Sequence, residues 1–194
     1  KFLGGEGSFF PEDVTMKLQE VQREPIQKYK IFGGETWVFE PPIKDRFYIA
    51  GVDTAPEHGV DKSAITIWDY ETLNQVWEFQ GKCPVKEFVK IVISGISQYP
   101  GLVVVENNSY GNQVIEELNL SDYSVMLYKE KIGNNVIRPG INTNVKTRPL
   151  MIDSLYSYIA NFTEIVRSRR LALELIGLVT KNSGKVEADV GMQD

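Results

Sequence analysis

The stretch Phe47-Tyr48-Ile49-Ala50-Gly51-Val52-Asp53 is a short apolar run that ends in a carboxylate. It predicts a buried strand with an acid at its carboxyl end. After a loop, Asp61 precedes a second apolar run at 64–68, and Glu106 ends a valine-rich run at 102–106. An unpaired buried charge is costly, so acids at the ends of buried strands indicate a function. Two such acids at one edge of a sheet would suit a divalent cation.

The regular part of the sequence begins at Phe47 and predicts an α/β fold. Three strands form an antiparallel meander, and after a helix the unbroken apolar run at 102–106 is typical of a parallel strand covered on both faces. We predict a mixed sheet, the meander plus parallel strands, with helices on both faces. The predicted elements are strands 47–53, 63–69 and 75–80, helix 84–98, strand 102–106, helix 110–118, strand 124–128, a polar hairpin-like excursion around 133–140, a helix from Thr147 to Ala160, strand 162–166 and helix 168–179.

Residues 1–46 differ in character from the rest of the sequence. Glycines lead into Phe9-Phe10-Pro11, a short helix is predicted over 12–23, and 28–45 is extended and rich in turn residues. We interpret 1–46 as an N-terminal arm or linker and 47–194 as the folded domain.

Composition excludes several classes of protein. At 194 residues the sequence fits one domain of above-average size. No stretch approaches the roughly 18 apolar residues of a membrane span, so we expect no membrane partner. A single cysteine, Cys83, and a single histidine, His58, argue against an internal disulfide and against a Cys/His zinc site. Any metal should therefore be a hard cation with oxygen ligands.

The charge is unevenly distributed, although the formal net charge is −5. Between Lys129 and Lys185 there are ten basic and four acidic residues. A basic C-terminal third is compatible with nucleic acid, and the alternative is a solvated surface with ion-paired helices. Without an element that reads the major groove, contacts to DNA should be phosphate-directed. If the partner is DNA, the candidate phosphate-binding residues are Lys129, Lys131, Arg138, Lys146 and Arg148.

Phosphodiester hydrolysis by two metals needs two cations about 3.5–4 Å apart, held by oxygen ligands. Asp53 and Glu106 fit this role if the first and fourth strands are neighbours in the sheet. Asp61 starts the second strand, antiparallel to the first, and should lie near Asp53 across a short loop. A third ligand must come from elsewhere, and Asp194 is the candidate.

Each acid also has a simpler explanation. Asp53 and Asp61 suit turn positions, and Asp194 alone carries no signal. Glu187 and Asp189 are reserve candidates for the third ligand, although acids of exposed loops are the ordinary interpretation. Glu106 is the hardest to explain structurally, because glutamate is a poor capping residue after a buried strand.

The pattern resembles the nuclease domain of the large terminase subunit of tailed bacteriophages, which has an RNase H-like (RuvC-like) fold. The resemblance covers nearly the whole chain, and the acid-bearing segments and the Lys-Thr-Arg-Pro segment are its most specific parts. The matching segments are Gly51-Val52-Asp53 with Asp61-Lys62-Ser63-Ala64-Ile65, Val104-Val105-Glu106-Asn107-Asn108 with Gly111, Lys146-Thr147-Arg148-Pro149-Leu150-Met151-Ile152, Gly191-Met192-Gln193-Asp194, and the lead-in from Phe2-Leu3-Gly4-Gly5 to Phe9-Phe10-Pro11.

This resemblance implies that Asp53, Glu106 and Asp194 are catalytic and bind two Mg²⁺ or Mn²⁺ ions, with Asp61 assisting. The family carries a second acid after the position of Asp194, so the third ligand is either Asp194 or that neighbour. The resemblance also implies cleavage of concatemeric viral DNA during packaging, in the cytoplasm of the host cell. The implied partners are double-stranded DNA, an ATPase domain that ends in the lead-in, the small terminase subunit and the portal protein.

Other functions stay open at this point. A Holliday-junction resolvase or an RNase H would use the same fold, and a non-catalytic packaging-motor assembly module would carry degenerate acids. The string Asn182-Ser183-Gly184-Lys185 lacks the leading glycine and the final hydroxyl of a phosphate-binding loop, so we expect no ATP hydrolysis. An actin-like ATPase would need paired phosphate-binding loops and two lobes.

Overall fold

The computed structural model describes residues 7–132 and 136–189. The chain divides into two compact units. The sheet unit is Pro25–Thr147, and the terminal unit joins the residues up to Glu24 with those from Arg148 onward. None of the helices in the described ranges is long and apolar enough to span a membrane.

The sheet unit is built on one mixed sheet. Its six strands are β1 (Gln27–Ile31), β2 (Gly34–Val38), β3 (Tyr48–Asp53), β4 (Ser63–Asp69), β5 (Gln75–Gly81) and β6 (Gly101–Val105). They are arranged in the order β1-β2-β5-β4-β3-β6, in which β3 and β6 run parallel and the other neighbours run antiparallel. The predicted meander, the parallel fourth strand and the α/β fold class are confirmed.

The sheet begins earlier in the chain than Phe47. Phe32 and Gly33 both have positive φ, 45° and 77°, which is the backbone of a tight two-residue hairpin turn between β1 and β2. Strand β2 pairs with β5, so residues 27–38 belong to the sheet and do not form a separate extended arm. The origin of residues 1–46 in a preceding ATPase domain stays a prediction.

Helices α2 (Val85–Gln98) and α3 (Gly111–Asn119) supply the helical half of the core. The apolar residues of α2 recur at helical spacing, and Phe88, Val92 and Ile96 are fully buried in one cluster with the inner face of the sheet. Full burial of each such side chain contributes about 1.5–3 kcal/mol. A Cβ at Gly95 would lie 3.1 Å from Ile67 Cδ1, so glycine lets α2 approach the sheet closely. The predicted covering of the other face by helices stays a prediction.

The chain after α3 departs from the predicted strand at 124–128. Residues 124–126 form a 3₁₀ turn, because the Ser121 hydroxyl accepts a hydrogen bond from Tyr123 N–H and Met126 N–H bonds back to Tyr123. Pairing with β6 is left to the end of the predicted strand, where Leu127 bridges Val103 and Tyr128 N–H donates to Val103 O at 2.8 Å. The polar excursion is a hairpin, as predicted, formed by β7 (Lys129–Ile132) and β8 (Val136–Pro139).

The terminal unit is mainly helical, and α1 contacts α5. Its elements are α1 (Glu12–Glu20), α4 (Thr147–Asn161), a 3₁₀ turn at Thr163–Ile165, α5 (Arg169–Ile176), β9 (Leu178–Thr180) and β10 (Val186–Ala188). Two predictions are wrong here: 162–166 is a 3₁₀ turn and not a strand, and the last helix ends at Ile176. Ser168 Oγ caps α5, and Gly177 ends it, after which β9 pairs with β10.

Candidate active site

Asp53 and Glu106 meet at the carboxyl ends of the parallel strands β3 and β6. Val52 pairs with Val105 in the register of these strands, and Glu106 N–H donates to Val52 O at 3.0 Å. Both valines are buried in the core. Because side chains alternate along a strand, the next residue of each strand turns to the opposite face of the sheet. The two acids therefore share that face, as the sequence predicted.

The carboxyls of this pair influence one another electrostatically. The pKa of Asp53 is raised to about 6, first by loss of hydration and then by the negative charge of Glu106 and a side-chain hydrogen bond with it. A hydrogen bond from the Thr54 backbone opposes the rise in part. Asp53 lies at the rim of the sheet and its side chain is in part exposed to solvent. A proton or a cation between the two carboxyls would relieve their repulsion.

Asp61 lies beyond this pair, in the loop between β3 and β4. Its charge makes the smallest contribution to the raised pKa of Asp53, and its side chain is exposed. The prediction that Asp61 starts the second strand is wrong, because β4 begins at Ser63. The Ser63 hydroxyl accepts from Ala55 N–H at 3.0 Å and lies 3.3 Å from Ala55 O, which ties the two ends of the loop together.

The turn from β6 into α3 is built by two asparagines and a glycine. Asn107 N–H donates to Ile141 O at 2.7 Å, and Asn107 Nδ2 donates to Pro139 O at 3.1 Å. Asn108 Oδ1 accepts from Gly111 N–H at 2.7 Å. A Cβ at Gly111 would lie 1.9 Å from Glu106 O, so only glycine allows the helix to start so close to the acid. These contacts hold the start of α3 close to the end of β6.

The predicted third ligand, Asp194, lies outside the described residues. Within 7–132 and 136–189, no three His, Cys, Asp or Glu side chains converge as a metal-binding group. The reserve candidate Glu187 lies in β10, where its ion pair with Lys185 lowers its pKa. The structure thus brings together Asp53 and Glu106, with Asp61 at the margin.

The hairpin β7–β8 is hydrogen-bonded at its base to the strand that carries Glu106. Ile141, which follows β8, donates to Val105 O at 2.8 Å and forms a bridge with Glu106. Lys129, Lys131 and Arg138 are exposed on this hairpin. Arg138 pairs with Glu130 in the register, so it lies on the opposite face from the two lysines. The hairpin therefore divides the three predicted DNA-binding cations between its faces.

The other two predicted DNA-binding residues lie at the start of α4. Lys146 is exposed, and Asn144 Oδ1 accepts hydrogen bonds from the N–H groups of Lys146 and Thr147. Arg148 belongs to the terminal unit, where its Nη2 donates to Val186 O at 3.1 Å. Its guanidinium therefore has a structural contact as well as an exposed surface.

An antiparallel meander beside a parallel strand is the sheet arrangement of the RNase H-like fold. Solved structures of phage large terminase nucleases are similar to this chain. The nuclease from thermophilic phage G20c with bound magnesium has 15% identity and a TM-score of 0.63, over 93% of this chain and 93% of that chain. The same nuclease with bound cobalt has 16% identity and a TM-score of 0.63, over 93% of each chain.

A third similar structure is the large terminase nuclease domain of Thermus phage P74-26, with 16% identity and a TM-score of 0.62, over 93% of this chain and 90% of that chain. No protein-family model and no curated protein sequence matches the chain. The predicted resemblance to large terminase nuclease domains is therefore confirmed for the fold. At 15–16% identity the comparison shows the fold alone.

Proposed function

We propose that this protein is a metal-dependent DNA endonuclease, the nuclease part of a phage packaging terminase that cleaves concatemeric viral DNA. The observation that carries this proposal is the contact between Asp53 and Glu106 and the raised pKa of Asp53 that it helps to produce. Acids with strongly shifted pKa values are enriched at functional sites. A purely structural role would not require two carboxyls in contact at the end of a sheet.

The residues present fit a hard divalent cation. Carboxylate oxygens are the ligands that Mg²⁺ and Mn²⁺ prefer, and two repelling carboxyls gain from a cation placed between them. Asp53 and Glu106 would hold the metal, Asp61 would assist, and Asp194 or an acid beyond it would complete the site for two ions. The magnesium and cobalt bound to the G20c nuclease support a divalent cation at this site.

In this proposal the chain's own residues bind and orient, and hydrolysis leaves no covalent intermediate on the protein. When bound, two divalent ions would supply activation of the attacking water and stabilisation of the leaving oxygen. Asp53 and Glu106 would hold those ions at the edge of the sheet. Lys129 and Lys131 would hold the DNA backbone, since they share one face of the hairpin whose base is hydrogen-bonded to the end of β6. Further phosphate contacts would come from Arg138, Lys146 and Arg148.

The proposed setting follows from the same likeness. Double-stranded DNA would be the substrate, and the partners would be a terminase ATPase domain, the small terminase subunit and the portal protein, in the host cytoplasm. Residues 1–46 would include the end of the ATPase domain. Because residues 27–38 are part of the sheet, a boundary between the two domains would fall ahead of β1.

The test is nicking of supercoiled plasmid at low salt with Mn²⁺, with and without EDTA. We expect nicking by the wild type with Mn²⁺ and its loss in Asp53→Asn and Glu106→Gln. Asp122→Asn, an exposed acid after α3, is the matched control and should nick normally. Unchanged nicking by Asp53→Asn would overturn the proposal. Cleavage of four-way junctions or RNA–DNA hybrids, without cleavage of duplex DNA, would assign the site to a resolvase or an RNase H instead.

A further inference from the structure

Asn108 connects Glu106 to the start of α3. Its Oδ1 accepts hydrogen bonds from Gly111 N–H at 2.7 Å and from Tyr110 N–H at 3.2 Å. Its Nδ2 lies 3.4 Å from Glu106 Oε2, a long hydrogen bond. Its backbone N–H donates to Glu106 O at 2.9 Å. One side chain thus bonds to a helix terminus on one side and to a proposed metal ligand on the other.

The orientation of the Asn108 amide is determined by its partners. Two backbone N–H groups require an acceptor, so Oδ1 must face the helix and the NH₂ group must face Glu106. The NH₂ group can only donate, which matches an ionised carboxylate. A donor on Oε2 restricts the rotation of the Glu106 carboxylate. Such outer contacts orient metal ligands in many proteins and affect metal affinity strongly.

We propose that Asn108 is a positioning residue for the acid pair: its oxygen caps α3, and its nitrogen holds Glu106 in the orientation in which it meets Asp53. This inference rests on the proposed function, since it assigns to Asn108 a role in metal binding. Because the hydrogen bond from Asn108 already orients the Glu106 carboxylate, less conformational entropy is lost when a cation binds.

The competing explanation is that Asn108 only caps the helix. Serine caps a helix about as well as asparagine, whereas alanine does not. Asn108→Ser therefore keeps an acceptor for the first N–H groups of α3 and removes the amide that reaches Glu106. Asn108→Ala removes both functions. A capping role and a positioning role consequently predict different results for the serine variant.

The experiment measures two quantities on the full chain: Mn²⁺ affinity by isothermal titration calorimetry and the melting temperature in EDTA. We expect both Asn108 variants to bind Mn²⁺ about tenfold more weakly than the wild type. Only Asn108→Ala should also melt several degrees lower, because it alone lacks the cap. The matched control is Asn107→Ser, which changes the neighbouring amide, whose Nδ2 bonds to Pro139 O and not to Glu106.

The outcomes separate this inference from the proposed function. Wild-type Mn²⁺ affinity in Asn108→Ser would overturn the positioning role and leave Asn108 as a helix cap. An equal loss of affinity in Asn107→Ser would also overturn it, because the effect would then belong to the turn as a whole. No Mn²⁺ binding by the wild-type protein would overturn the proposed function and this inference together.

Discussion

Replacing Asp53 by asparagine should stabilise the metal-free protein even though it removes a proposed catalytic group. The pKa of Asp53 rises from 3.8 to about 6 on folding. The folded state therefore holds this proton more tightly than the unfolded state, and stability is lost as pH rises from about 4 to about 6. A rise of this size corresponds to roughly 3 kcal/mol before screening. Asp53 is exposed, so solvent screening reduces the expected gain to about 1 kcal/mol.

The assay is thermal unfolding followed by circular dichroism in EDTA. At about pH 7.5, Asp53→Asn should melt about 2–4 °C above the wild type, the shift expected for about 1 kcal/mol in a chain of this length. At about pH 4.5 the difference should shrink to about a third, because the folded wild type is then mostly protonated at Asp53. Saturating Mn²⁺ should reverse the order, since only the wild type would gain from binding.

The control for this experiment is Asp122→Asn, which removes an exposed acid and should leave the melting temperature in EDTA unchanged at both pH values. An Asp53→Asn protein that melts at or below the wild-type temperature at about pH 7.5 would refute the reasoning. The same would follow from a difference that does not depend on pH.

Three further predictions concern the neighbours of this pair. Glu106→Gln should lower the pKa of Asp53, measured by carboxyl NMR, but not to its ordinary value, because loss of hydration is the largest cause of the rise. Gly111→Ala should lower the free energy of unfolding in urea by about 1–3 kcal/mol, because its Cβ would lie 1.9 Å from Glu106 O. Gly51→Ala should be tolerated, because its Cβ would meet nothing closer than 3.9 Å. Lys131→Ala should reduce the slope of log affinity for DNA against log salt by about 0.9, measured by fluorescence anisotropy.

Each of these has an outcome that would contradict it. If the pKa of Asp53 is the same in Glu106→Gln as in the wild type, the two carboxyls do not interact. Equal costs for the two glycine variants would show that the close approach at Gly111 is relaxed in solution. For DNA binding, Lys86→Ala on the exposed side of α2 is the matched control, and an equal change of slope there would remove the special role of the hairpin.

The sequence predicted the parts of the fold that depend on local pattern. The apolar run ending at Asp53 and the valine-rich run ending at Glu106 are strands because their side chains fill a core between sheet and helices. The parallel pairing of these runs is a long-range property, yet it could be inferred because the second run is apolar throughout. The contact between the two acids followed from that pairing.

The errors have identifiable physical causes. The run 124–128 is apolar enough for a strand, but hydrogen bonds accepted by the Ser121 hydroxyl and the Tyr123 carbonyl fold residues 124–126 into a 3₁₀ turn. Only the end of the run pairs with β6, through a parallel bridge between Leu127 and Val103. Residues 27–38 appeared to be an arm because their strands are short and half-exposed, and only pairing of β2 with the distant β5 shows that they belong to the sheet. The division of the hairpin cations between two faces depends on register, which charge content alone does not reveal.

The role of Asn108 also escaped prediction from the sequence. An asparagine before a helix indicates a cap, and the additional contact with Glu106 requires the geometry of the turn. The sequence Glu106-Asn107-Asn108 followed by Gly111 does indicate a tight turn after the strand, because the glycine allows the helix to start close to the end of the strand.

Anomalous diffraction from a crystal soaked in Mn²⁺ would test most directly whether Asp53 and Glu106 together hold the cation. We predict a manganese peak within coordination distance, about 2.0–2.6 Å, of an oxygen of each carboxylate. Peaks that avoid both residues, at a Mn²⁺ concentration that supports plasmid nicking, would contradict the account.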